Sequence, residues 1–160
     1  ARVGVTYQGW AKGNAVDIVA KTLWGEARSE GYKGMQAVAN VIRNRHDKAI
    51  RSFNPVRWWG SGYIDICTKR AKTQSGSYTY QFSCWDPRDP NRAKMDALMP
   101  GRDSNFDRAI EIARLMIAGN LPDITNGADH YYATYIGTPY WAKGETAIAR
   151  VGTHVFYELA

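Results

Sequence analysis

The 160-residue chain contains no run of about 18 apolar residues, which excludes a membrane-spanning helix and with it a stable membrane anchor of that kind. No basic-then-apolar leader is visible at its start. It begins at Ala1 rather than Met, so an already removed leader stays an open alternative. A P-loop and a G-x-G-x-x-G are both absent, which removes the usual signals of nucleotide chemistry, and no G-x-S-x-G marks a serine hydrolase. The three histidines, His46, His130 and His154, form no H-x-x-x-H pair, so neither a metal nor another cofactor is expected. Cysteine is scarce as well. Cys67 and Cys84 are too few for a disulfide framework. They could close a loop of roughly 18 residues, worth ~3 kcal/mol, or stand as buried thiols, and the redox compartment stays open.

Packed basic runs, the sign of a nucleic-acid arm, are also missing. What is present is an uneven charge. The total is 21 Lys/Arg against 15 Asp/Glu, a net +6; residues 1–80 carry 13 and 5, residues 81–160 carry 8 and 10. A basic half fits an anionic partner such as nucleic acid, an acidic membrane surface or an acidic cell-wall polymer, or simply a solubilising surface. Apolar residues make up 44%, enough for a packed core, which excludes disorder. The length fits one domain over residues 1–160.

Helical periodicity begins after Asn14, which with Asp17 resembles a capping box. Val16, Val19, Ala20 and Leu23 place a helix over about 15–26; Met35, Val38, Val41 and Ile42 place a second over about 32–46. Between them lies a short charged corner bracketed by Gly25 and Gly31. Residues 47–88 read as a long loop rich in Gly, Ser, Arg and aromatics (Phe53, Trp58, Trp59, Tyr63, Tyr78, Tyr80, Phe82, Trp85), and a loop of that length is usually functional. Pro90 starts a helix over about 90–99. Ser104 or Asn105 caps a third long helix, with Phe106, Ile110, Ala113 and Ile117 inward and Gly119 at its end. Residues 129–134 and 147–159 read as a two-stranded antiparallel ribbon. The fold class is α+β, mostly helical.

Two carboxylates occupy the corner. Glu26 ends an apolar helix beside Trp24. Partial desolvation and the negative helix C-terminus both raise a carboxyl's pKa there, as a glycosidic general acid requires. A solvated glutamate paired with Arg28 or Arg43 is the plainer reading of the same pattern. Glu30 is expected to cap the second helix or to pair with Lys33 or Arg28. Aromatic platforms with amide and hydroxyl partners (Gln81, Ser83, Tyr131, Tyr132, Tyr140 and Trp141) suit the faces and rims of sugars; stacked bases would want similar platforms. Strand alternation implies that one of Tyr131 and Tyr132 packs inward and the other outward.

Several segments taken together resemble the SleB-type cell wall hydrolases, the family of the spore cortex-lytic enzymes. They are Thr22-Leu-Trp-Gly-Glu-Ala-Arg-Ser-Glu30, Gly34 to Arg45, Gln81-Phe-Ser-Cys-Trp85, Asp129-His-Tyr-Tyr132, Pro139-Tyr-Trp-Ala142 and Val151 to Tyr157, in order over about 16–157. The size resembles a phage endolysin of that family. The resemblance implies a lysozyme-like fold, close to lytic transglycosylases and goose-type lysozymes, as one catalytic domain without a separate wall-binding domain. It implies cleavage of the β-1,4 bond between N-acetylmuramic acid and N-acetylglucosamine at the bacterial wall, during host lysis; a monomer is expected. It also implies Glu26 as the catalytic acid, displacing the solvated reading, with Gln81, Ser83, Tyr131, Tyr132 and Trp141 along the saccharide groove and Tyr132 favoured over Tyr131. The partner is then peptidoglycan rather than nucleic acid. One carboxyl suffices for a lytic transglycosylase, which forms a 1,6-anhydro product. The rivals are a hydrolytic muramidase in which Asp65 or Asp86 assists water, a zinc amidase, and a noncatalytic basic binding module.

Overall fold

The structure is a computed structural model that describes residues 9–51 and 59–160. Phe53 and Trp58 of the expected aromatic loop lie outside the described residues. The helices are α1 (Ala15–Ala27), α2 (Gly31–Arg51), α3 (Tyr63–Thr68), α4 (Pro90–Asp96) and α5 (Ser104–Ile117). The strands are β1 (Arg70–Lys72), β2 (Tyr78–Tyr80), β3 (His130–Ala133), β4 (Ala149–Val151) and β5 (His154–Tyr157).

Helix α1 starts where its cap predicts: the Asn14 side chain accepts the Asp17 amide. The reciprocal bond goes elsewhere, because the Asp17 carboxylate takes the Gly13 amide, the Trp10 indole N–H and the Lys21 ammonium. Leu23, Val19, Met35, Val38, Ile42, Ile110 and Met116 are fully buried where α1, α2 and α5 meet. Trp24 donates its indole N–H to Asp103, and Asp103 accepts the Phe106 amide. The cap of α5 is therefore Asp103, not Ser104 or Asn105, and the same carboxylate ties α1 to α5. Phe106, Ile110 and Ala113 are buried as expected, whereas Ile117 is half-buried.

Helix α2 runs past the expected end at residue 46 because polar ties replace its fading apolar stripe. Arg43 pairs with Asp47, His46 stacks on Tyr63 at 4.1 Å, and Lys48 binds Asp129 and Glu158. Residues 47–88 are not one loop. They include the end of α2, the short helix α3 with Ile66 and Cys67 buried, and the β1–β2 hairpin. Helix α4 stops at Asp96, short of the expected 99.

The C-terminal sheet has three strands, not two, in the order β3-β5-β4, all antiparallel. Gly152, at φ 59°, turns the chain between β4 and β5, and so splits the segment expected as one strand. Phe156 is buried against Val41, Ala37 and Ala128, which seats the sheet on α2. Cys67 and Cys84 are both free and buried. Burial pushes the Cys67 thiol up to about 12 and raises the Cys84 thiol too, so neither is a ready nucleophile.

Candidate active site

Glu26 lies in the last turn of α1, half-buried at the wall of an open groove of about 700 Å³. Its helix turn is locked locally. The Arg28 backbone N–H and one guanidinium N–H both donate to the Trp24 carbonyl, and the guanidinium lies 3.7 Å over the Trp24 ring. A second Arg28 N–H reaches Asn91 on α4. Arg43 is engaged with Asp47 and the Met116 carbonyl. Neither arginine pairs with Glu26, so the solvated, ion-paired reading of this carboxyl does not hold.

The backbone around Glu26 is close-packed. A Cβ on Gly25 would come within 2.7 Å of Cys84 Cβ and 2.9 Å of Met95 Sδ. Only glycine there lets the 3-10 turn Ser83–Trp85 approach α1. That approach delivers the Cys84 backbone N–H to Glu26 Oε2 at 3.4 Å. From the opposite wall, the Tyr131 hydroxyl on β3 donates to Glu26 Oε1 at 2.6 Å. Burial raises the Glu26 pKa above the usual carboxylate range, outweighing the hydrogen bonds from Tyr131 and Cys84 that lower it. The same burial, with the neighbouring carboxyl, raises the Tyr131 phenol, so the tyrosine stays a donor.

Of the seven residues singled out from the sequence for a sugar groove, six line it: Glu26, Gln81, Ser83, Tyr131, Tyr132 and Trp141. Tyr131 turns toward the helices and Tyr132 toward the outer face, where it stacks on Tyr157 at 6.0 Å and meets Trp141 edge-on at 5.8 Å. Although the resemblance favours Tyr132, the contact with the carboxyl belongs to Tyr131. Tyr140 is 89% exposed and lies outside the groove lining.

Sequence reasoning missed several polar contributors, Arg45, Asn91 and His154 among them. Arg45 is buried; it donates to the Asp129 carbonyl at 2.7 Å and lies 3.4 Å from Gln81 Oε1. Asn91 and His154 also line the groove. The pattern offered no signal for Arg45 beyond its place on an apolar helix face. Among the described lining residues Glu26 is the one carboxylate. Residues 1–8 and 52–58 contain neither Asp nor Glu. Asp65, a proposed helper of water, lines a separate cavity and accepts the Ser61 amide. Asp86 is taken up by Arg88 at 2.8 Å. No group of three His, Cys, Asp or Glu side chains among the described residues is arranged to hold a metal ion.

A mostly helical body whose groove, lined by aromatics and one desolvated carboxyl, is faced by a small antiparallel sheet has the build of a lysozyme-like domain. The chain belongs to the cell wall hydrolase family, whose profile matches residues 29–157. Glu26 stands just ahead of that matched stretch. The chain is similar in structure to the catalytic domain of the germination-specific lytic transglycosylase SleB from Bacillus anthracis, with 24% identity, 94% of this chain and 98% of that one covered, and a TM-score of 0.58. It is also similar to the catalytic domain of the Bacillus cereus SleB protein, with 22% identity, 99% and 100% covered, and a TM-score of 0.54. The fold is thus lysozyme-like, as those domains are. No curated protein shows significant similarity to the sequence.

Proposed function

We propose that this enzyme degrades peptidoglycan as a lytic transglycosylase. It cuts the β-1,4 bond between N-acetylmuramic acid and N-acetylglucosamine, and Glu26 serves as acid and then as base. The observation that carries this reading is the single carboxylate in the groove wall. Two-carboxylate glycosidases need a partner about 5–9.5 Å away; the nearby Asp89, whose charge helps to raise the Glu26 pKa, caps α4 by accepting the Asn91 amide and does not line the groove. A lone carboxyl is enough when the sugar supplies its own nucleophile.

The geometry supports the following steps. Glu26, its pKa raised by burial and its carboxyl aligned by Tyr131, gives its proton to the bridging oxygen as the bond to the muramic C1 breaks. The new carboxylate is held by the Tyr131 hydroxyl and the Cys84 amide. It then takes the proton of the muramic C6 hydroxyl while that oxygen bonds to C1. The products are a free 4-hydroxyl and a 1,6-anhydro end, with no water consumed and Glu26 protonated again. Gln81 and Ser83, both exposed, meet sugar amides and hydroxyls; Tyr132 and Trp141 provide platforms for ring faces.

Digestion of purified peptidoglycan followed by mass spectrometry tests the proposal. The expected fragments are lighter by one water than their hydrolytic counterparts. Reducing-end fragments would make the enzyme a muramidase, and release of free peptide stems would make it an amidase.

A further inference from the structure

His154 opens β5, opposite Ala133 of β3 and Val151 of β4. It is 4% exposed, yet its ring lines the groove together with Glu26, Tyr131 and Ala133. The imidazole packs edge-on against Tyr131 at 5.1 Å and against Phe156 at 6.3 Å. Nδ1 is sealed from solvent without a hydrogen-bond partner. Nothing in the sheet therefore explains a polar ring in this aromatic slot. A buried polar atom without a partner is destabilising, and a phenylalanine would fill the same space without that cost.

Burial holds the ring neutral, with its pKa below the ordinary histidine value; the nearby Glu30 charge acts in the opposite direction and is the weaker influence. A neutral imidazole has one N–H. The tautomer that leaves the sealed Nδ1 as a bare lone pair puts the proton on Nε2, as a donor for a group lying in the groove. An uncharged acceptor suits this donor, and the adjoining Ala133 methyl and Tyr131 ring suit a small apolar end beside it. An acetamido group has both: a carbonyl oxygen and a methyl.

We infer that His154 binds the acetamido group of an N-acetylated amino sugar lying next to Glu26, so that the groove selects acetamido-bearing β-1,4 glycans over plain ones. This rests on reading the groove as a glycan site. The test compares two neutral β-1,4 tetrasaccharides that differ in the acetamido groups, tetra-N-acetylchitotetraose and cellotetraose, by isothermal titration calorimetry. The unmutated chain should bind the chitin fragment about tenfold more tightly. His154→Phe, which keeps the aromatic packing, should weaken chitin binding about five- to tenfold and leave cellotetraose unchanged. His154→Gln, which restores a donor, should recover part of the loss.

Unchanged chitin binding by His154→Phe, or equal losses on both sugars, would overturn the assignment. A readout that needs no variant is the histidine-ring nitrogen NMR spectrum of the unmutated chain: tetra-N-acetylchitotetraose should shift the His154 Nε2–H signal, and a still signal under saturation rejects the contact. Chitin binding through His154 without muropeptide release would sink the catalytic proposal and leave this one standing. Muropeptide release by a chain indifferent to His154 would do the reverse.

Discussion

The two ends of the α1–α2 corner carry the same side chain in opposite surroundings. At one end Glu26 is desolvated between α1, the Ser83–Trp85 turn and β3, and burial raises its pKa. At the other end Glu30 accepts the Thr153 hydroxyl at 2.5 Å and the Thr153 amide at 2.7 Å, and those bonds lower its pKa. Both glutamates reach from the helical body to the C-terminal sheet, Glu26 to β3 and Glu30 to the β4–β5 turn. One is set up to carry a proton at a pH where the other has lost it. Residue type did not assign these roles; the number of donors and the depth of burial did.

The sharpest way to break the comparison is to neutralise each carboxyl in turn. Glu26→Gln keeps the shape and can still accept from Tyr131, but has no proton to give. Wall lysis, followed as loss of turbidity of purified walls, should fall by about 10³-fold or more. Near-full lysis by a folded Glu26→Gln protein would move the chemistry elsewhere. Tyr131→Phe comes next, with a loss of about tenfold, since a hydrogen bond to a charged group is worth about 1.5–3 kcal/mol and the carboxylate forms only part-way through the cycle. Removing that bond also removes an influence that lowers the Glu26 pKa. The alkaline limb of the pH–activity profile should therefore move to higher pH in Tyr131→Phe. A limb that stays in place would mean another group titrates there.

How much of this was legible beforehand differs between the two ends. The long helices were, because 3.6-residue periodicity survives wherever one face is buried, as with Val19, Leu23, Met35 and Val38. Glu26 stood out through its apolar helix and the family-like segment around it. The reach of Glu30 to Thr153 was not legible, since it links residues 123 positions apart and local charge pairing with Lys33 or Arg28 looked sufficient. The third strand was hidden by one glycine turn inside a uniformly β-rich stretch. Arg45 and His154 escaped for a similar reason. Each sits on a buried face beside apolar neighbours, and its polar role depends on what the opposite wall presents.

The smallest effect separates the ends most cleanly, because it reads stability rather than rate. Glu30→Gln should cost about 1 kcal/mol at neutral pH, with the two Thr153 bonds weakened at a partly exposed site. Its activity should stay within about twofold of the unmutated chain, because the side chain does not line the groove. A carboxyl whose pKa is lowered on folding stabilises above its unfolded value, so the deficit should close as pH falls through the folded pKa. For Glu26 the sign reverses. A raised pKa contributes stability that is full below the unfolded value and is lost as pH rises through the folded one. Glu26→Gln should therefore melt higher than the unmutated chain at neutral pH, and the gap should shrink toward acid. Melting curves of both variants from acid to neutral pH would then diverge from the unmutated chain in opposite directions. Parallel curves would mean that the two carboxyls share one environment after all.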